Sequence, residues 1–594
     1  MALFAVLAGI VGAVLYSSGI SAPLYLDDPT VLDNAETYIG TRTLGYVSFS
    51  ASHKLADLLG YIFPWDVTIY YRIPNILIHI LASIAVFWLA RELTGRRLTA
   101  GLAGALFLVH PIQTQAVTYI SQRFESQAAL FMFVSAAAYI RFRRGHSRYW
   151  IVLAILAGLS AAMTKETTVA LPLWLALIEI CFFSGFSRLK HIALWLPFVA
   201  AVAYPAWKAL QGAGKTLVWI PFELYLLSQG PVLLQYLELI FVPGKQYLLY
   251  DFPAASGLTR DVLAAWGLLL ALVAMTLYLG RRKPIVIFGI LTFFILLSPT
   301  SVVPLPDLIF EHRVYPAFAG IAIALAAAFP PRRLTVALFS IVFVFLGYRT
   351  FVRNGEWNDR VKFWEAHREA FPYDVKVLGS LAGSLAKVGE VKKAIAVNLE
   401  AQKYLDRLNP FYYKEGALIV SLNLATLYGE MDDGPRALEQ ARLALSVEPD
   451  MVMALRIVSR VQLASGDYEG ARKTLQRLIA SDANLETLKG LRAVESNLRN
   501  TNEVQRLDLQ ISGIENIGTG PSIEATAPEK PPRDVKSERL KGMTTILFVA
   551  LVLVMGFLIF AFTVLKRHTG EVLRWVWTGS TVSVDSLAVD LPKQ

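Results

Sequence analysis

Adjacent carboxylates at Asp27 and Asp28 follow closely on the first apolar run of the chain. They lie in the string Tyr25-Leu26-Asp27-Asp28-Pro29-Thr30, with Asp33, Asn34 and Glu36 just beyond. A carboxylate held just outside a membrane helix stays ionised at a wet rim and can act as a general base. Alone, the string reads as a solvated turn. Further polar groups sit between apolar runs: His110-Pro111 with Gln122-Arg123-Phe124-Glu125-Ser126, then Lys165-Glu166, then Glu311-His312-Arg313. Arg offers a bidentate fork to phosphate, and a carboxylate can take the proton of an attacking hydroxyl. Acids, Arg and His at a membrane rim therefore suit a phosphorylated lipid substrate. Taken singly, each group reads as an ion pair tying down a loop end. Gathered on one face, they read as a site.

The elements that must hold these residues are mostly membrane helices. Of 594 residues, 55% are hydrophobic and 17% charged, and the mean hydropathy is +0.48. That is too apolar for a soluble chain of this length and implies a polytopic membrane protein. The net charge of +10 is no sign of nucleic-acid binding. Arg and Lys cluster between apolar segments, and no RNA-binding motif or aromatic platform accompanies them. The single cysteine, Cys181, excludes a disulfide within the chain. No Cys/His grouping has zinc spacing, and no metal ligand is expected. Ala2–Leu15, short and followed by Ser21 and Ala22, has the look of a signal peptide, but no Lys or Arg precedes it and the favoured reading is an uncleaved first helix.

Apolar runs predict about eleven spans within residues 1–352. The basic loops are Arg91 to Arg97, Arg141 to Arg148, Arg188 with Lys190, Arg281-Arg282-Lys283 and Arg332-Arg333. The positive-inside rule puts them in the cytoplasm and the polar groups above on the exoplasmic face. Leu224–Val242 is apolar but carries Gln229, Gln235, Glu238 and Pro231. It breaks the alternation if it spans, so it reads as re-entrant or interfacial. Residues 353–500 alternate helix-length patterns with breaks at Gly389-Glu390, Asp433-Gly434 and Gly466-Asp467. These resemble about three tetratricopeptide (TPR) repeats in an exoplasmic α-solenoid, with a lead-in at Trp357 and Trp364. Residues 501–541 read as a Pro-rich linker, 542–566 as a last transmembrane helix and 567–594 as a cytoplasmic tail. The fold class is all-α.

The string from His110 to Arg123 resembles the second exoplasmic loop of the transmembrane-and-TPR protein O-mannosyltransferase-like family. Thr164-Lys165-Glu166-Thr167, Tyr250-Asp251-Phe252-Pro253 and Phe310-Glu311-His312-Arg313-Val314-Tyr315 are similar to further signatures of it, over roughly residues 20–500. The family belongs to the GT-C glycosyltransferases, whose donors are polyprenyl-phosphate sugars. The resemblance implies that Asp27 is the catalytic acid, with Asp28 its competitor and Glu125 a second acid. It implies that Arg123, Lys165, Glu166, His312 and Arg313 face the donor phosphate. His110, Glu311, Tyr250 and Asp251 would complete the cavity. Two departures stand out. Gln115 occupies a position where the family often has Glu, and the helix after the repeats is not a usual family feature.

The resulting expectation is inverting transfer of a sugar at the outer face of a bacterial inner membrane. The donor is a polyprenyl-phosphate sugar, and the acceptor is a protein Ser/Thr or a glycan. No cofactor is expected for a monophosphate donor; Mg or Mn enters only with a pyrophosphate. The repeats, and the last helix as a second surface, would receive a protein partner. Two rivals are a non-catalytic TPR-bearing membrane scaffold and an oligosaccharide ligase using a lipid pyrophosphate.

Overall fold

The computed structural model describes residues 1–63, 65–183, 196–212, 217–218, 220–330, 332–481 and 484–517. The expected last helix, Met543–Leu565, and the tail lie outside the described residues, as does the linker beyond 517. The regular elements described are all helical, in agreement with the all-α expectation. One compact unit comprises Met1–Leu277 and Ile285–Ile523, and every contact below lies within it. Of a second unit, Tyr278–Pro284 are described and carry a 3-10 turn at Gly280–Arg282.

The first part contains α1 Ala2–Ser17, α2 Asp28–Asp33, α3 Thr43–Leu59, α4 Val67–Thr94, α5 Arg97–Val109, α6 Thr114–Thr118, α7 Arg123–Arg143, α8 Tyr149–Ala162 and α9 Leu171–Phe182. It continues with α10 Leu196–Gly212, α11 Phe222–Phe241, α12 Arg260–Leu279, α13 Pro284–Val302, α14 Val314–Ala328 and α15 Arg333–Glu356. Among the described residues five helices are long and apolar enough to cross a membrane, and three shorter ones are apolar too. The protein is a multi-pass membrane protein. Helix α4 shows how sequence sets the ends. Asp66 caps its first turn by accepting from the Thr68 amide at 2.8 Å, and Gly95 ends it at φ +69°.

Helix α5 stops early because His110 precedes a proline, which pushes it into extended backbone (φ −78°, ψ 128°). The chain then passes through a 3-10 turn at Pro111–Gln113, α6 and a second 3-10 turn at Ile120–Gln122, all buried. Irregular backbone is tolerated there only if its carbonyls find donors. Arg72 Nε reaches the Thr118 carbonyl at 3.2 Å, and Asn75 Nδ2 reaches those of Val117 and Ile120 at 3.0 and 3.3 Å.

Helix α3 occupies a stretch expected to be loop. It buries Gly45, Tyr46, Phe49 and Ser52 on one face, a spacing that signals an amphipathic helix. Helix α11 has the length of a span, yet its contacts stay at one end of the bundle. Tyr225 near its start donates to the carbonyl of Thr300, in the last turn of α13, at 2.5 Å. Tyr236 bonds Phe310 at 3.0 Å, and Ile240 near its end accepts from His110 at 2.9 Å. Helix α11 is nonetheless one of the five helices long and apolar enough to cross a membrane.

The repeats hold four antiparallel pairs rather than three, after a lead-in helix α16 Arg360–Ala370. They are α17 Val375–Lys387 with α18 Val391–Lys403, α19 Pro410–Glu430 with α20 Gly434–Val447, α21 Val452–Ala464 with α22 Tyr468–Ser481, and α23 Leu485–Asn497 with α24 Thr501–Ile517. Each intra-pair turn closes with the same 2.9 Å backbone bond, from Glu390, Asp433, Asp467 and Asn500 back to Leu385, Tyr428, Gln462 and Glu495. Residues 501–517, expected as the start of the linker, form helix α24 instead. Helix α19 has 21 residues against 13 in α17, which accounts for the wide early spacing.

The boundary at 352/353 is no free joint. Helix α15 runs on to Glu356, and the first buried cluster of the repeats includes Tyr25, Tyr119 and Leu248 beside Trp357, Phe363 and Trp364. Tyr25 donates to the Trp357 carbonyl at 2.6 Å, and Leu248 N to His367 Nε2 at 2.7 Å.

Candidate functional site

The first loop separates its two aspartates. Leu26 adopts φ +35°, a region costly for a side-chain-bearing residue and frequent where backbone is held for function. This turn drives Asp28 inward and leaves Asp27 outward. Asp28 is fully buried, with Oδ2 accepting from Tyr25 N at 3.0 Å and Oδ1 from Ser121 N at 2.8 Å. Burial pushes its carboxyl up to about 7 against the pull of those amides. Asp28 pins the first loop to the second and leaves no oxygen lone for a substrate. Asp27 is exposed. Its amide donates to the Tyr119 hydroxyl at 3.0 Å. Partial desolvation holds its carboxyl above the ordinary value, opposed by the Tyr119 hydroxyl and by Arg42 and Lys165 nearby. A raised carboxyl makes the better base once ionised.

Arg123, expected at the donor phosphate, is instead consumed by structure. Its Nε meets Asn75 Oδ1 at 2.6 Å, Nη1 meets the Ser48 carbonyl at 2.7 Å and Ser52 Oγ at 3.0 Å, and Nη2 meets the Tyr71 carbonyl at 2.7 Å. The guanidinium also lies 4.2 Å over the Phe49 ring. It ties α3, α4 and α7 together. Two positions on, Glu125 pairs with Lys165 Nζ at 2.7 Å, and Gln122 Oε1 lies 3.2 Å from the same nitrogen. Burial pulls the Lys165 ammonium below its ordinary range, and Glu125 opposes the shift.

A partly exposed guanidinium with unspent terminal nitrogens belongs to Arg42, which sequence reasoning missed. Arg42 precedes α3, and its Nε bonds both oxygens of Glu166 at 3.1 and 2.9 Å. Thr41 adds a 2.6 Å bond to the same carboxylate. Burial raises Glu166, but Arg42 and Thr41 outweigh it and hold the acid below its usual range. The terminal nitrogens of Arg42 make no hydrogen bond among the described residues, and its side chain is 38% exposed. The available signal was a lone cation in the otherwise acidic loop after Asp27.

The late group divides likewise. Glu311 is buried and accepts from Tyr247 N at 2.9 Å, Gln246 Nε2 at 3.2 Å and the Tyr250 hydroxyl. Burial pushes it up to about 7. Arg313 spends Nη1 and Nη2 on the Leu308 and Asp307 carbonyls at 3.0 and 2.9 Å, so it shapes the loop. His312 offers N and Nδ1 to Gln115 Oε1 at 2.7 and 2.9 Å. Burial first, then the charges of Lys165, Arg313 and Arg42, hold its imidazole well below the ordinary value and therefore neutral. Gln115 also donates to the Leu248 carbonyl at 3.2 Å, which a Glu at this position could not do. His110 is spent on Ile112 N and the Ile240 carbonyl. Asp251 is exposed beyond the Tyr250 anchor.

Asp27, Arg42, Lys165 and His312 thus fall within one electrostatic neighbourhood, joined by Asp307. Arg123, Asp28, Glu311, Arg313 and His110 form the frame around it. Among the described residues no group of His, Cys, Asp and Glu side chains converges to hold a metal ion.

Comparison with known proteins gives a partial relationship. Residues 59–231 match the family model described as dolichyl-phosphate-mannose-protein mannosyltransferase. Protein O-mannosyl-transferase Tmtc1 of Drosophila melanogaster is 33% identical over 113 residues, 18% of this chain and 13% of that protein. Protein O-mannosyl-transferase Tmtc2 of the same fly is 28% identical over 187 residues, 30% of this chain and 19% of that protein. The chain thus spans less than a fifth of each of these two relatives. A solved C-terminal TPR-containing domain of a Plasmodium falciparum FK506-binding protein matches with TM-score 0.20 and 20% identity, covering 22% of this chain and 91% of that one. The chain is related to these O-mannosyl-transferases, and residues 59–231 carry the family-model match. Asp27 and Arg42 precede the matched family segment.

Proposed function

We propose that the chain is a membrane glycosyltransferase of the O-mannosyl-transferase type, moving a sugar from a polyprenyl-phosphate donor to a hydroxyl. The observation that carries this reading is the open Asp27 carboxylate close to Arg42 and Lys165, held there by a frame of spent charges. The acceptor hydroxyl attacks the anomeric carbon as the sugar–phosphate bond breaks. Asp27 takes the hydroxyl proton, and the leaving phosphate gains charge opposite Arg42 and Lys165. Attack opposite the leaving group inverts the anomeric configuration. Glu125 positions Lys165, and Glu166 positions Arg42.

The acceptor is a Ser/Thr-bearing polypeptide or a glycan, presented beside the repeats. In this reading the site end of the bundle and the repeats are exoplasmic at a bacterial inner membrane, and the C-terminus is cytoplasmic. A monophosphate donor needs no divalent ion to leave, so transfer should survive chelation; a lipid-pyrophosphate ligase would lose it. The test is sugar transfer in proteoliposomes supplied with polyprenyl-phosphate mannose and a Ser/Thr-rich peptide. Product supports the reading, and Arg42→Gln should then raise the donor KM. No transfer from any lipid-linked sugar contradicts it.

A scaffold is the second reading. It draws on the many charges spent on structure and on the repeats' fixed seat at Tyr25, Leu248 and Asp307. Recovery of an inactive chain in a stoichiometric membrane complex would favour it.

A further inference from the structure

The turn between α3 and α4 carries Tyr61, Ile62, Phe63 and Trp65 with 97, 66, 43 and 48% of their surfaces open. Such side chains in bulk water would be costly, and here they are adjacent. Hydrogen bonds tie the described residues of the turn to both helices. Gly60, Ile62 and Phe63 donate back into the last turn of α3 at 2.8, 2.9 and 2.8 Å, and the Tyr70 hydroxyl donates to the Phe63 carbonyl. The Phe63 and Trp65 rings stack at 5.0 Å. Exposed Leu55 and Leu58 continue the surface along α3, and exposed Leu77 and Leu81 continue it down α4. Lys54 and Asp57 on α3 are exposed beside it.

We infer that this aromatic turn sits in the boundary between lipid headgroups and acyl chains, and that the bilayer is its partner. Continuity with the outward side chains of a membrane-crossing helix favours lipid over a protein. So does the mix of Tyr, Trp and aliphatic tips flanked by charge, which suits that layer. The turn fixes the depth of α3, and Arg42 stands at the opposite end of that helix, about 25 Å away. Helix α3 therefore sets the height at which Arg42, and the loop bearing Asp27, meet a lipid headgroup.

The test places a nitroxide at Ile62→Cys in a Cys181→Ala background, with Glu36→Cys as the exposed reference. The full chain is held in nanodiscs of phosphatidylethanolamine and phosphatidylglycerol, and labelled variants are required to melt with the parent. Oxygen concentrates in lipid, and a nickel chelate stays in water. The expected result is relaxation dominated by oxygen at 62 and by nickel at 36. Equal nickel access at the two positions would overturn the inference, and so would shielding of position 62 from both reagents, which would mean a protein covers the turn. The readout does not use catalysis, so its failure is separate from failure of the transferase reading.

Discussion

Asp28 gives both carboxylate oxygens to backbone amides, whereas its neighbour Asp27 is exposed. Residue type and order were legible in the sequence, and so was the separation of these polar groups from the apolar helices between them. Which charges are free was not, because that depends on partners far along the chain. Arg123 draws its partners from α3 and α4, and Arg42 finds Glu166 across a gap of 124 positions. Buried acids also make stability depend on pH. Burial pushes Asp28 and Glu311 up to about 7 in the fold, against ordinary values of 3.8 and 4.5. The folded chain binds more protons between those limits, so these two groups favour the fold at low pH, and that contribution is lost as pH rises through 7. Buried neutral His312 pulls the other way, so the readout is a difference: the Tm of Glu311→Gln relative to the parent should rise between about pH 5.5 and about pH 8 in detergent melts. The base runs the other way. Asp27 must be ionised, so the acid limb of the rate should lie above that of an ordinary aspartate.

Elements were legible where periodicity and punctuation agreed. Three repeats announced their turns by Gly389, Gly434 and Gly466 next to an acid. The fourth turn uses Arg499 at φ +59° in the left-handed position, where Gly389 and Gly466 stand at +84° and +78°. With no glycine to mark it, α24 looked like linker. Its Leu507 and Ile511 are buried with Leu488, Leu491 and Val494. Ending the chain at 500 should therefore destabilise the last pair by about 2–4 kcal/mol, read as earlier urea unfolding of the repeats. Gln115→Glu tests the element that joins the second loop to the late group. A carboxylate cannot donate to the Leu248 carbonyl, so that buried acceptor is orphaned. The expected cost is about 1–3 kcal/mol, with faster hydrogen exchange near Leu248. Unchanged exchange there would show that Gln115 does not hold that segment.

At the scale of the molecule, membrane bundle and repeats read in sequence as two bodies joined near residue 352. In the fold they share a core around Tyr25 and Trp357, and Lys376 bridges Asp307 and Glu415 at 2.8 Å each. Asp307 is also one of the charges felt by Asp27, so the repeats are anchored beside the site. The bridge is partly exposed, and Lys376→Met should cost only about 1 kcal/mol overall. Its sharper signature is local: faster exchange in the segment from Pro304 to Phe310, with the remaining repeats unchanged. The most direct measurement is sugar transfer from polyprenyl-phosphate mannose by Asp27→Asn in proteoliposomes, beside a parent whose Tm it shares. Loss of a general base predicts a fall of about 10²–10⁴-fold with donor binding retained. Transfer at the parental rate would contradict Asp27 as the base and the site built around it.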